Sequence, residues 1–160
     1  MFRIGFGFDT HPLKEDLPFY LGGIQIPHTK GAVGHSDGDT LIHAIIDALL
    51  GAAGLPDIGN QFPDHDKQYK DIDSKILLVD TVGKIRKTGL EIGNIDSTIV
   101  LQTPKLQTLI PQMKTTLAKV LGIRPDQLSI KAKTSEKLGF IGREEGVSAY
   151  AVVLLLSEKP

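Results

Sequence analysis

The feature that most constrains the fold is the apolar segment at the end of the chain, residues 147–157. It reads VSAYAVVLLLS, and its apolar side chains are not confined to alternate positions. A strand that is apolar on both faces has to be covered on both faces, as a central strand of a layered sheet is. The segment therefore predicts a sheet with packed layers around it.

Other segments alternate between strand-like and helix-like patterns. Residues 2–11 alternate in polarity, and Pro12 is expected to end that strand. Its apolar face carries Phe2, Ile4, Phe6 and Phe8, and its other face carries Arg3, Gly5, Gly7, Asp9 and His11. The remaining pattern predicts a hairpin over 19–26 turning at Gly22-Gly23, helices over 38–53 (capped by Ser36 or Asp37), 73–88 and 105–121, and strands over 92–102 and 128–134.

These segments predict an α/β (α+β) fold in which a mixed four-stranded sheet carries helices on one face. Neither a linker nor a repeat divides the sequence, so we expect a single domain over residues 1–160. The uncovered sheet face would expose Phe2, Ile4, Phe6 and the apolar side chains of 147–156, which is too much apolar surface for solvent. A homo-oligomer in which sheets pack together would cover that face.

Composition and charge exclude several classes of protein. Eighteen basic and nineteen acidic residues give a formal charge of −1, which disfavours a nucleic-acid partner because such a partner requires a basic surface. The 160 residues include no cysteine, so disulfides and thiolate chemistry are excluded. No apolar run approaches the roughly 20 residues that cross a bilayer. We expect a cytoplasmic protein without a membrane partner, and a plastid location only after removal of a transit peptide.

One candidate metal site combines the first strand with the first long helix. Asp9 and His11 are two positions apart, so their side chains point the same way, about 7 Å apart along the strand. His43 lies in a mostly apolar helical segment, four residues from both Asp39 and Asp47. Carboxylate and imidazole ligands suit zinc, and an Asp, with Asp47 as the hypothesis, would orient His43. The alternative stays open that Asp9 and His11 end a strand and His43 is a hydrogen-bonded core histidine.

Three further segments carry polar groups with two interpretations each. GHSDGD at 34–39 precedes a helix and favours either an anion site or an ordinary helix cap. The acidic loop at 57–66 would bind hydroxyls or a cation, or be simply solvated. The basic and hydroxyl-rich segment at 131–137 suits phosphates bridged by Mg²⁺, or forms a surface turn.

In this order, the segments resemble the 2-C-methyl-D-erythritol 2,4-cyclodiphosphate synthase family over essentially the whole chain. Several long blocks in one order are far more specific than a single motif. The matching blocks are GFGFDTH (5–11), LGG (21–23), GHSDGDTLIHAIIDALLGAAGLPDIG (34–59), FPDHD (62–66), IPQM (110–113) and KTSEKLGFIGREEG (133–146). The resemblance implies a phosphorus-oxygen lyase of the non-mevalonate isoprenoid pathway. Such an enzyme converts 4-diphosphocytidyl-2-C-methyl-D-erythritol 2-phosphate to 2-C-methyl-D-erythritol 2,4-cyclodiphosphate and releases CMP.

The resemblance also implies roles for particular residues. Asp9, His11 and His43 would bind one Zn²⁺ per subunit, and Glu136 would hold Mg²⁺ or Mn²⁺ with the substrate diphosphate. His35 and Thr134 would be catalytic, by stabilising the pentacovalent transition state. The implied substrate-binding residues are Asp9, His11, His35, Ser36, Asp57, Ile58, Gly59, Phe62, Asp64, Asp66, Leu101, Pro104, Lys105, Leu106, Gln107, Lys133, Thr134, Ser135, Glu136, Phe140 and Arg143. Residues 101–107 among them would surround the cytidine, together with backbone near Ala132.

The family resemblance further implies a homotrimer with active sites between adjacent subunits, in agreement with the uncovered sheet face. Phe140 and Arg143 would lie near a cavity on the threefold axis that takes an isoprenoid diphosphate. Two rival functions are open. A zinc phosphohydrolase would use the same ligands with water as the nucleophile, and a non-catalytic trimeric module would only bind isoprenoid diphosphates in the axial cavity.

Overall fold

A computed structural model describes residues 1–157 as one mixed sheet, a small hairpin and five α-helices. Two short 3₁₀ helices span Lys67–Tyr69 and Pro125–Gln127. The strands are β1 (Phe2–Glu15), β2 (Phe19–Leu21), β3 (Ile24–Ile26), β4 (Lys30–Ala32), β5 (Leu90–Val100), β6 (Leu128–Lys133) and β7 (Gly146–Ser157). The helices are α1 (Thr40–Ala53), α2 (Ile58–Gln61), α3 (Ser74–Arg86), α4 (Ile110–Leu121) and α5 (Gly139–Gly142).

The main sheet has the strand order β4-β1-β7-β5-β6, and β2 pairs with β3 in a separate hairpin. β7 lies in the centre, antiparallel to both β1 and β5, whereas β5 and β6 are parallel. The two-sided apolar pattern of 147–157 therefore predicted its central place correctly. The expected number of four strands was wrong by one, because β4 adds a three-residue edge strand opposite Leu13, Lys14 and Glu15. Three residues are too few for a periodic pattern to reveal.

Pro12 does not end β1, contrary to expectation. It lies opposite Gly146 in the register with β7, and the strand continues to Glu15. The backbone hydrogen bonds change partner around this point: Leu13 N–H donates to Glu145 O, and Pro12 O accepts from Val33 N–H. Pro12 thus occupies the position where β1 passes from β7 to β4, and its missing N–H is tolerated there.

Two helix starts also differ from the sequence expectations. The N-cap of α1 is Asp39, whose carboxylate accepts a hydrogen bond from Ile42 N–H, so neither Ser36 nor Asp37 caps the helix. α4 begins at Ile110 rather than near 105. The residues before it form a loop that lines a cavity. The apolar periodicity of the sequence does not predict this loop, because the tertiary structure determines it.

β1 and α1 pack unusually close together because β1 presents glycine where other side chains would stand. A Cβ atom built at Gly5 would overlap the carbonyl oxygen of Ala48, and one built at Gly7 would overlap that of Ala44. These contacts also show that α1 runs antiparallel to β1. The helix backbone therefore rests directly on the strand backbone, and α1 is buried along most of its length.

The opposite face of the sheet is apolar and exposed in the single chain. Phe2, Ile4 and Phe6 on β1 are 67%, 63% and 63% exposed, and Val152 on β7 is 45% exposed. No element within residues 1–157 covers these side chains, in line with the sequence expectation of an uncovered face. This face is far more apolar than a solvated sheet surface normally is.

The glycine contact gives a stability prediction. Gly7→Ala is expected to lower the free energy of unfolding by at least about 1–3 kcal/mol, because the added methyl group overlaps the backbone of α1. Gly51→Ala is the control on α1, the helix that Gly7 contacts, because a Cβ atom at Gly51 meets no atom within 4 Å. Alanine has the better helix propensity, so this variant should raise the free energy of unfolding by up to about 1 kcal/mol. Denaturant titration at one protein concentration measures both, and equal stability of the two variants would contradict the close-packing argument.

Candidate metal centre

Asp9, His11 and His43 converge because of the antiparallel contact between β1 and α1. Gly7 lies against Ala44, and the next side chain on that face of β1 belongs to Asp9, followed by His11. His43, adjacent to Ala44, therefore reaches the same end of the strand. The sequence predicted each residue's element, and the strand–helix contact brings the three side chains together.

The three ligand atoms form a compact triangle. Asp9 Oδ2 lies 2.8 Å from His11 Nε2 and 3.0 Å from His43 Nδ1, and the two ring nitrogens are 3.1 Å apart. Tetrahedral zinc with bonds of about 2.0–2.1 Å to nitrogen and oxygen requires ligand separations of about 3.3 Å. The donor set and its spacing therefore fit a transition-metal ion, as expected for a group of two histidines and one carboxylate.

The hydrogen bond of His11 supports the same conclusion. Its Nδ1 lies 2.7 Å from Val33 O, and because a carbonyl oxygen only accepts, Nδ1 carries the proton. In the neutral ring the proton on Nδ1 leaves the Nε2 lone pair for a metal ion, whereas the protonated ring donates Nε2–H to Asp9. A histidine whose second nitrogen donates to a backbone carbonyl is the usual arrangement of a metal ligand.

Electrostatics at the centre favour a carboxylate between two imidazoles. Burial would raise the pKa of Asp9, but hydrogen bonds and charge from His11 and His43 lower it well below its ordinary value. Burial would lower the pKa of His11, whereas its hydrogen bond and attraction to Asp9 and its bond to Val33 raise it overall. Asp9 is therefore ionised at neutral pH and available as an anionic ligand.

Neither acid that the sequence placed near His43 has its carboxylate in contact with the His43 ring. Asp39 caps α1 and also accepts from the backbone N–H groups of Gly22 and Gly23, at 2.9 and 2.6 Å. Asp47 accepts from Ile58 N–H at 2.8 Å. The hypothesis that Asp47 orients His43 is therefore wrong. Spacing of four residues brings side chains to one helix face, but here each acid is occupied by a backbone donor from another segment.

The partner of His43 that sequence reasoning missed is Ser74. His43 Nε2 lies 2.9 Å from Ser74 Oγ and 3.0 Å from Ser36 Oγ. Ser74 is the first residue of α3, and it was predicted only as part of a helix. No local signal identifies this contact, because Ser74 and His43 are 31 positions apart.

A cavity of about 190 Å³ opens on the three ligand atoms. His35 lies at its wall, with a buried Nε2 that has no hydrogen-bond partner within residues 1–157. Tyr69 and Leu77 complete the lining and were not predicted from the sequence. The predicted residues that the cavity brings together are Asp9, His11, His35, Ser36, His43, Ile58, Gly59, Phe62 and Asp64.

Two of the predicted acids lie outside that lining. Asp57 caps α2, accepting from Asn60 N–H at 2.9 Å, and Asp66 caps the following 3₁₀ helix, accepting from Gln68 N–H at 3.1 Å. Hydrogen bonds from Asn60 lower the pKa of the exposed Asp57. Both acids thus have a local structural role at the helix ends next to the cavity.

A second cavity, of about 350 Å³, lies at the β6 edge of the sheet between β5, β6 and α4. It collects most of the remaining predicted residues: Leu101, Pro104, Lys105, Leu106, Gln107, Lys133 and Thr134, with Gln102, Ile110 and Ala132. Glu136 is next to it, accepting from Thr134 Oγ1 at 2.7 Å, and Ser135 Oγ donates to Leu138 O at 2.7 Å. Gln102 falls within the range 101–107 that was expected around the cytidine, whereas Ile110 was not predicted.

The two cavities lie at the same height along the sheet but on different strands. Asp9 is opposite Ala149, Ala149 is opposite Ile99, and Ile99 is opposite Ala132. Three strand spacings of about 4.8 Å separate Asp9 from Ala132, or about 14 Å. A single chain therefore holds the candidate metal ligands and Thr134 in separate cavities.

The last two predicted residues, Phe140 and Arg143, line neither cavity. Phe140 is 44% exposed and its ring covers Gly146, and the guanidinium of Arg143 forms an exposed ion pair with Glu145 at 3.0 Å. They lie where β7 begins.

Within residues 1–157, no helix has the length and apolarity to span a bilayer.

Fold and site together define a mixed α+β protein with a candidate transition-metal centre between a strand and a helix. Residues 2–156 match the YgbB family, and the chain belongs to that family. A Porphyromonas gingivalis relative, 58% identical over 98% of this chain and 96% of its own length, is named 2-C-methyl-D-erythritol 2,4-cyclodiphosphate synthase. A Bacteroides fragilis relative with the same name is 59% identical over 96% of each chain.

Solved structures agree with the sequence relatives. The structure of Plasmodium falciparum IspF in complex with CDP superposes with a TM-score of 0.87 at 36% identity, covering 99% of this chain and 97% of the other. The family resemblance predicted from the motifs is thus confirmed, as is the α+β class.

The metal centre gives a binding prediction. The protein is expected to take up one divalent transition-metal ion per chain, and His11→Ala should weaken that affinity by more than the roughly 10–100-fold typical of changes outside the ligand shell. His65→Ala is the control, because His65 is an exposed loop histidine. Competition with a chromophoric chelator measures both. Equal affinities in the two variants would show that His11 is not a ligand.

Proposed function

We propose that this protein catalyses the reaction named for its relatives. It would convert 4-diphosphocytidyl-2-C-methyl-D-erythritol 2-phosphate to 2-C-methyl-D-erythritol 2,4-cyclodiphosphate and CMP, as a lyase of the non-mevalonate isoprenoid pathway. The observation that carries the proposal is the triangle of Asp9, His11 and His43 at the mouth of a cavity, in a chain 58% identical to a named synthase. The proposal treats residues 1–160 as one synthase domain, located in the cytoplasm.

The reaction needs no nucleophile from the protein. An oxygen of the substrate's own 2-phosphate bonds to the β-phosphorus, while the bond from that phosphorus to the oxygen it shares with the α-phosphate breaks. CMP leaves with that oxygen, and an eight-membered cyclic diphosphate remains. A phosphate monoester is already largely ionised near neutral pH, so a general base contributes little. The main difficulty is the approach of two anions in a bent conformation.

We propose Zn²⁺ as the ion at Asp9, His11 and His43, which fit it in donor type and spacing. Bound zinc supplies a Lewis acid that polarises the diphosphate and takes up negative charge. The protein's own groups would provide the remaining stabilisation. His35 presents a buried ring nitrogen that has no partner among residues 1–157, at the wall of the same cavity. Such a nitrogen can donate to a phosphate oxygen in the transition state.

The second cavity is proposed to hold the cytidine. Its volume of about 350 Å³ falls in the range of small-molecule sites. Leu101 and Leu106 supply buried apolar walls, and Lys105 and Lys133 would supply positive charge for a phosphate of the ligand. The CDP complex of the Plasmodium falciparum relative supports a cytidine diphosphate ligand. Thr134 and Glu136 would then lie at the phosphate end, with Glu136 holding a second ion, Mg²⁺ or Mn²⁺.

A homotrimer is proposed because one chain divides these groups between two cavities. Thr134 and the metal ligands are assigned to the same β-phosphate, yet about 14 Å of sheet separates their strands. Subunits packed through the apolar sheet face would bury Phe2, Ile4 and Phe6 and set one chain's second cavity beside the metal cavity of its neighbour. Phe140 and Arg143 would line the axial cavity proposed for an isoprenoid diphosphate.

The product identifies the reaction. Incubation with the named substrate and Zn²⁺ plus Mg²⁺ is expected to release CMP and the cyclic diphosphate in equal amounts, as followed by ³¹P NMR. A linear monophosphate product would indicate the phosphohydrolase instead. Asp9→Ala should abolish turnover. A wild type without turnover, together with unchanged binding of isoprenoid diphosphate by Asp9→Ala, would indicate the non-catalytic module.

Thr134 provides a quantitative test of the second cavity's role. Thr134→Val is expected to lower kcat by about 10²–10³-fold, because one donor to the developing charge is lost. Thr115→Val is the matched control: its hydroxyl is exposed and donates to Pro111 O on α4. A Thr134→Val enzyme as active as Thr115→Val would remove Thr134 from the catalytic assignment.

The assembly predicts a molecular mass and a way to disrupt it. Light scattering should give three times the chain mass of 17.3 kDa. Phe6→Lys should shift the protein toward monomer and remove activity, because charge is placed in the packed sheet face. Ile76→Lys, at a 57% exposed apolar position on α3, should leave the mass unchanged. A monomeric wild type would contradict the trimer and the site between subunits.

A further inference from the structure

His43, the candidate metal ligand on α1, contacts the buried Ser74 through the ring nitrogen that faces away from Asp9 and His11. His43 is 8% exposed, and the hydroxyl of the fully buried Ser74 lies 2.9 Å from its Nε2. Nδ1, the other ring nitrogen, points at Asp9 and His11. A proton on Nε2 would leave the Nδ1 lone pair for the metal, and a proton on Nδ1 would block it. What fixes the proton on His43 therefore affects metal binding.

Asp37 determines which way the Ser74 hydroxyl points. Ser74 Oγ lies 2.5 Å from Asp37 Oδ1, which is the shortest of its three side-chain contacts. An ionised carboxylate only accepts, so the hydroxyl proton is donated to Asp37. The lone pairs of Ser74 Oγ then face His43 and accept its Nε2–H. Asp37 therefore sets the direction of both hydrogen bonds: His43 Nε2–H donates to Ser74, and the Ser74 hydroxyl donates to Asp37.

The surrounding backbone keeps Asp37 and Ser74 in place. Asp37 Oδ2 accepts from Ser74 N–H at 3.0 Å, and its Oδ1 accepts from Asp39 N–H at 3.1 Å. Asp37 N–H donates to Ile72 O, and Asp71 N–H donates to His35 O. The loop before α1 is thus paired with the segment before α3, which brings the first residue of α3 beside His43.

Ser36 does not fix the proton by itself. Its Oγ lies 3.0 Å from His43 Nε2, but its other contacts are Ser74 Oγ at 3.3 Å and Gly38 N–H at 3.4 Å. Neither is a carboxylate, so the Ser36 hydroxyl can donate or accept toward the ring. The direction comes from Asp37 through Ser74.

We propose that Ser74 and Asp37 are positioning residues that hold the proton of His43 on Nε2 and so keep Nδ1 available to the metal ion. The proposal rests on the metal centre of the proposed function. It replaces Asp47, the acid expected from helix spacing, with an acid that acts through a serine from another helix. Outer partners of this kind commonly tune both ligand orientation and ligand basicity.

The test is Zn²⁺ affinity of the full chain, measured by competition with a chromophoric chelator. Ser74→Ala and Asp37→Asn are each expected to weaken binding by about 10–100-fold. The Asp37 carboxylate accepts three hydrogen bonds on two oxygens, whereas the amide of Asp37→Asn offers only one acceptor oxygen. The relay of hydrogen bonds from His43 through Ser74 to residue 37 therefore loses its fixed direction. Ser97→Ala is the matched control, since Ser97 is a 2% exposed serine whose hydroxyl donates to Ser129 O. It should bind zinc as the wild type does.

A double-mutant cycle separates a relay from general loosening. If Asp37 acts through Ser74, the double variant should bind zinc no more weakly than the weaker single variant. Losses that simply multiply, or a Ser74→Ala affinity equal to that of Ser97→Ala, would overturn the relay while leaving the metal centre intact. Failure of the wild type to bind zinc would instead overturn the metal centre itself. Melting curves of the metal-free variants show whether each is folded, and Asp37→Asn gives an independent measurement if Ser74→Ala is not.

Discussion

The contact of two backbones, strand β1 and helix α1, is the constraint on which the site depends. Gly5 and Gly7 leave room for the carbonyl oxygens of Ala48 and Ala44, so the helix lies closer to the strand than side chains would permit. Asp9 and His11 continue the same strand face beyond the glycines, and His43 continues the same helix beyond the alanines. A ligand triangle with edges of about 3 Å follows from that proximity.

The division of the sheet into two unlike faces organises the rest of the molecule. Helices cover one face and shape both cavities, while the other face exposes Phe2, Ile4 and Phe6. The strand order then separates the candidate metal ligands from Thr134 by the width of three strand spacings. The same division underlies the proposed homotrimer, in which self-association would cover the apolar face and bring the two cavities of neighbouring chains together.

Much of the fold was predictable because its signals are local and repeated. The period of two in residues 2–8, the long apolar helix pattern around His43 and the apolar closing strand identified the main sheet and α1. The signals failed where a segment is too short or where a distant partner decides its conformation. β4 has three residues, Pro12 is tolerated at a change of strand partner, and the loop before α4 follows the wall of a cavity.

The sequence by itself determined the ligand types, their elements and the family, since these depend on residue identity, spacing and the order of motifs. Tertiary structure alone decided which groups support the ligands. Asp39 and Asp47 have the correct helical spacing to His43 yet bind backbone N–H groups of other segments. Ser74 instead reaches the His43 ring from α3, and Asp37 contacts Ser74 from the loop before α1. The physical reason is that each polar group is satisfied by the nearest complementary group in space, and the packing of helices on the sheet sets those distances.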